Sequence, residues 1–77
     1  MEAFLRYLVL NLLGTTEGME LTESRSQQKI VFRLKLPPEQ IGKIIGKEGR
    51  TIEAIRNLLS AAAARTGQKV LLQIVEE

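Results

Sequence analysis

The eight residues from Lys29 to Leu36 constrain the fold more than any others in this chain. Ile30, Phe32, Leu34 and Leu36 take every second position, and Lys29, Val31, Arg33 and Lys35 fall between them. Successive Cβ atoms of a strand point to opposite faces, so period-two spacing of apolar residues predicts a strand with one face buried. An all-helical fold cannot accommodate that pattern. Pro37-Pro38 ends it, because proline brings no N–H to a sheet ladder, and Pro38 suits the first turn of a following helix.

The flanking segments follow from the same periodicity argument. Residues 2–13 predict a helix, with Phe4, Leu5, Leu8, Val9, Leu12 and Leu13 on one broad face and Gly14 in the C-terminal cap position. Tyr7 and Leu10 fall on the far side, so little of this helix is polar. Met19 to Glu23 alternates at period two and predicts a second, half-buried strand, with the polar run Ser24 to Gln28 as the turn or loop of a hairpin to residues 29–36. Glu39 to Ile45 predicts a short helix cut by Gly46. Thr51 to Arg65 predicts a longer one, its core stripe made of Ile52, Ile55, Leu58, Leu59, Ala62 and Ala63. Lys69 to Val75 predicts a last strand, apolar on both sides, suited to cover on both faces or to pairing beside a partner. The expected order is α-β-β-α-α-β in a single α+β domain.

Composition narrows function. Among 77 residues there is no cysteine and no histidine, and all nine acids are glutamates. Disulfides and Cys/His zinc sites have no ligands, and the residue that most often serves as general base is missing. The glutamates are scattered, so the expectation is a chain that is not an enzyme, with no cofactor and no metal. No stretch reaches the ~20 apolar residues that a bilayer span requires, and the N-terminus lacks the basic start of a secretory signal. A soluble, cytoplasmic protein is expected.

Charge is informative by position. Residues 29–69 carry nine basic side chains against three acids, whereas the remainder carries two against six, for a net +2 overall. A basic centre with acidic ends suits an anionic partner on one side of the domain.

The most specific segment is Ile45-Gly46-Lys47-Glu48-Gly49-Arg50-Thr51-Ile52. Two glycines two residues apart join a short helix to a long one, which permits a tight turn and leaves main chain open to close approach. The second helix begins just past Gly49, so its unpaired N–H groups and positive dipole end face that turn. Lys47 and Arg50 add full charges for phosphate oxygens, and Lys43 stands beside them. Glu48 is an acid in an otherwise basic turn and should weaken anion binding unless it points outward.

This segment resembles the IGxxGxxI signature of K-homology (KH) domains, whose GXXG loop clamps four nucleotides of a single strand. The element order resembles the type II arrangement, in which a helix and a strand precede a β-α-α-β core. With so short a chain, the whole resembles the small bacterial single-KH RNA-binding proteins. The resemblance implies one domain over residues 1–77, with residues 1–28 providing the N-terminal helix, strand and variable loop, and residues 29–77 the core. It implies Gly46, Lys47, Glu48 and Gly49 as the backbone clamp, flanked by Arg50 and Lys43. Ile45 and Ile52 match the signature's apolar positions, and Ile41 and Ile44 are both candidates for the groove floor. Its implied partners are single-stranded RNA and a second KH protein, as homodimer or heterodimer, in an RNA chaperone or post-transcriptional regulator.

Phe4, Tyr7 and Phe32 are the only aromatics. Base stacking on rings, worth ~1–3 kcal/mol per base, is therefore a minor resource. Three cations on phosphates predict a salt slope of about −2 on single strands, a weak site that gains from a second module. The competing expectation is a protein-interaction module on the same scaffold, in which RNA contact is incidental.

Overall fold

The computed structural model describes residues 1–76. Helix α1 (Glu2–Leu13) leads into strands β1 (Glu20–Arg25) and β2 (Lys29–Leu36). Helix α2 (Pro38–Ile45), a single 3-10 turn (Lys47–Gly49), helix α3 (Arg50–Ala64) and strand β3 (Lys69–Glu76) complete the chain. The predicted order is borne out, as α+β with a three-stranded mixed sheet.

Strand order is β1-β2-β3. β1 runs antiparallel to β2, with Leu21 opposite Leu34 and Arg25 opposite Ile30. β3 runs parallel to β2, with Phe32 opposite Leu72. A parallel neighbour needs a crossover, and α2 with α3 supplies it. β1 is longer than the alternation implied: Ser24 and Arg25 continue the ladder, leaving Ser26 to Gln28 as the turn, where the Ser26 N–H donates to the Lys29 carbonyl at 2.8 Å. Only Leu21 of β1 is half-buried.

The helices cover one face of the sheet. Ile30, Phe32, Leu34 and Leu36 of β2 are buried against Leu5 and Val9 of α1, Ile44 of α2 and the buried stripe of α3. Phe32 is the largest fully buried side chain; truncating it to alanine should cost about 3–5 kcal/mol. The opposite face of the sheet carries Lys29, Arg33 and Leu71 exposed and Val31 and Lys35 half-buried, so no described helix covers it. β3 is thus an edge strand covered on one face only, and the expectation of cover on both faces is corrected.

Two helical stripes are narrower than their sequence patterns. In α1 only Leu5 and Val9 are buried, while Phe4 and Leu12 are exposed along with Tyr7 and Leu10. In α3 the buried residues are Ile52, Ile55, Leu59 and Ala63, whereas Leu58 is 48% exposed. The core lies under one flank of α3 and leaves the flank toward α1 partly open.

Candidate nucleic-acid interface

The turn between α2 and α3 is built from three residues with positive φ. Gly46 (φ 76°, ψ 179°) ends α2, and its N–H donates to the Gly42 carbonyl at 3.0 Å. Glu48 (φ 57°, ψ 26°) and Gly49 (φ 73°, ψ 12°) are both left-handed and swing the chain into α3. The Gly49 N–H donates back to the Gly46 carbonyl at 3.2 Å, and the Arg50 N–H donates to the Lys47 carbonyl. Three amides of the turn are thereby committed to the protein itself.

The two glycines serve different ends. A Cβ on Gly46 would lie 2.6 Å from Thr51 Cβ and closer still to its hydroxyl, so Thr51 already fills that space. The sequence argument that both glycines leave bare main chain for a ligand holds only at Gly49, where an added Cβ would meet nothing within 4 Å. Gly46 is required instead by the turn's own packing and by a backbone conformation that only glycine readily adopts.

Lys43, Lys47, Glu48 and Arg50 are all exposed around this turn. Arg50 Nη2 stands 3.5 Å from Glu48 Oε2, with both side chains more than two-thirds exposed. An ion pair so hydrated is worth about 0–1 kcal/mol and can be exchanged for a phosphate at little cost. Lys43 and Lys47 make no ion pair among the described residues. Of the isoleucines, Ile45 is 37% exposed beside the turn and Ile41 is half-buried. Ile44 is fully buried and Ile52 is 7% exposed, so both belong mainly to the core.

Arg56 was not foreseen. It follows Ile52 by four residues and so borders the buried stripe of α3, on the flank that faces β3. Its Nη2 donates to the Leu72 carbonyl at 3.2 Å, setting a guanidinium over the sheet edge on the side of α3 away from α1. The i+4 step from a core isoleucine was the available signal. On the opposite flank, Leu58 and Ala54 face Leu8 and Leu12 of α1 across an apolar groove of about 380 Å³, with Arg50 at its margin.

Among the described residues no cluster of three or more His, Cys, Asp or Glu side chains could hold a metal. No described helix is long and apolar enough to cross a membrane.

An α-β-β-α-α-β chain with a Gly-Lys-Glu-Gly turn joining its second and third helices defines a KH domain. Sequence comparison assigns it more narrowly. The model of the KhpA/KhpB KH domain matches residues 2–74, and the chain belongs to that family. It is 48% identical to the RNA-binding protein KhpA of Chlamydia trachomatis over 77 residues, covering 100% of this chain and 99% of that one. It is 33% identical to RNA-binding protein KhpA of Clostridium acetobutylicum, over 97% of this chain and 100% of that one. With the protein of the same name from Aquifex aeolicus it shares 34% identity, over 84% and 82%. No solved structure matches the chain.

Proposed function

We propose that this chain is a non-enzymatic, single-stranded RNA-binding protein of the cytoplasm. One KH domain spanning residues 1–77 clamps a sugar-phosphate backbone at the Gly46–Gly49 turn. The observation that carries the reading is the open space over Gly49, in a turn whose neighbouring cations Lys43, Lys47 and Arg50 are all exposed. A phosphate meets the amides of Lys47 and Glu48 at the start of α3, and Lys47 and Arg50 supply charge. The next nucleotides run between α3 and the β3 edge, past Ile45 and Arg56. Ile52, buried beneath, holds α3 in place and does not touch bases. Relatives named as RNA-binding proteins support the same reading. Weak, unselective contact of this kind suits an RNA chaperone or post-transcriptional regulator.

A second reading is favoured by the groove between α1 and α3. Leu12 and Leu58, exposed at 45% and 48%, suit association with another copy or with a larger KH protein, which places two clamps on one RNA. As a pure interaction module, the chain would keep this surface and lose nothing if the clamp were damaged.

Replacing Lys47 and Glu48 with aspartate separates the two. RNA binding predicts loss of crosslinking in cells with a melt that stays cooperative. Unchanged crosslinking would leave the interaction module as the better account.

A further inference from the structure

We propose that the open face of the sheet, on the side away from the helices, is a second RNA-contacting surface that takes up strand leaving the clamp; the inference rests on the RNA-binding reading above. The sheet register sets Lys29 of β2 directly beside Lys69 of β3. Like charges at paired positions repel, and no described acid forms an ion pair with either lysine. Two residues further along, Val31 lies beside Leu71, which is 46% exposed. Two more bring Arg33, flanked by Thr22 on β1 and Gln73 on β3, again without an acid. Among the described residues, Lys35 is the one cation of this face with an ion-pair partner, Glu20 at 3.9 Å.

The face therefore alternates basic, apolar and basic steps along the strands. Side chains two apart on a strand share a face at a spacing of about 6.6 Å. Cations set apart by an apolar step suit phosphates with a ribose or base resting between them. An acidic protein would also be attracted, yet among the described residues three of the four cations form no ion pair and Glu20 is the one acid that lines the cavity beside Arg33 and Lys35, which favours a ligand that carries charge on every unit. Continuity supports the same choice. Lys69 and Leu71 also line a shallow cavity beside Ser60 and Ala64 of α3, so a strand in the α3–β3 groove reaches this face by rounding the β3 edge.

The test uses the whole chain, with fluorescent mixed-sequence oligoribonucleotides of 5 and 20 nucleotides, titrated from 50 to 200 mM salt. The clamp holds about four nucleotides, so the 5-mer reports on it alone. In the double variant Lys29→Gln/Arg33→Gln, the 20-mer salt slope should fall in magnitude by about 1.4, at 0.7 per phosphate. Across that fourfold salt range its affinity should drop about sevenfold less than in the unmodified chain, with 5-mer binding unchanged. Arg33→Glu, a single exposed change, should weaken the 20-mer alone. An unchanged 20-mer slope and affinity in both variants would overturn the proposal. So would that result accompanied by a change in sedimenting mass, which would assign the face to protein contact. Failure of the clamp itself reads out separately, as 5-mer binding that survives Lys47→Asp/Glu48→Asp.

Discussion

Thr51 occupies the space in which a side chain on Gly46 would have to sit, its Cβ 2.6 Å from where the Cβ of residue 46 would be. The turn that opens α3 is thus locked from within at its first glycine and open to a ligand at its second. Gly46→Ala meets both a steric block and a conformation barred to L-residues, whereas Gly49→Ala meets only the left-handed penalty, roughly 1–2 kcal/mol. Urea unfolding should show Gly46→Ala as the more destabilising by at least ~1 kcal/mol. Equal losses would remove the distinction between the two glycines.

Glu48 is the one non-glycine residue of the described chain with positive φ. Replacing it with glycine releases the left-handed strain against a higher entropy cost in the unfolded chain, for a net gain of up to about 1 kcal/mol. It also removes the only acid of the turn. The variant should melt higher and bind oligoribonucleotide more tightly; weaker binding would mean that Glu48 contributes to the contact.

The β2 alternation, the proline stop, the glycine turn and the element order were all legible in the sequence, because each depends on residues a few positions apart. What was not legible depends on distant neighbours. Leu58 fits the α3 stripe as well as Leu59 does, and only the position of α1 decides which of them is covered. Ile44 and Ile41 were indistinguishable until the packing of α2 buried the first. Nothing in the spacing of Gly46 and Gly49 reveals that Thr51 fills the gap at one and leaves the other clear.

Leu58 provides a test of the groove between α1 and α3. Leu58→Glu places a charge in an apolar surface 48% open to solvent. Sedimentation should show a shift to monomer while the melt changes by less than about 1 kcal/mol, since an exposed leucine has little burial to lose. Arg50 borders both this groove and the turn, so Arg50→Ala should impair association and RNA binding together. Lys47→Asp/Glu48→Asp should impair RNA binding alone.

Gln40 Oε1 of α2 is buried without a hydrogen-bond partner. An unsatisfied buried acceptor costs ~1–3 kcal/mol, and methionine matches the shape without the polar atom. Gln40→Met should raise the unfolding midpoint by the equivalent of about 1 kcal/mol. A lower midpoint would show that the amide has a role the fold does not reveal.

The clamp itself is most directly observed by nuclear magnetic resonance, titrating the isotopically labelled chain with mixed oligoribonucleotides. Amide resonances of residues 46–50 should move first and furthest, with those of α1 nearly still. If residues 46–50 stayed in place while RNA bound, the turn would not be the site and the account would be contradicted.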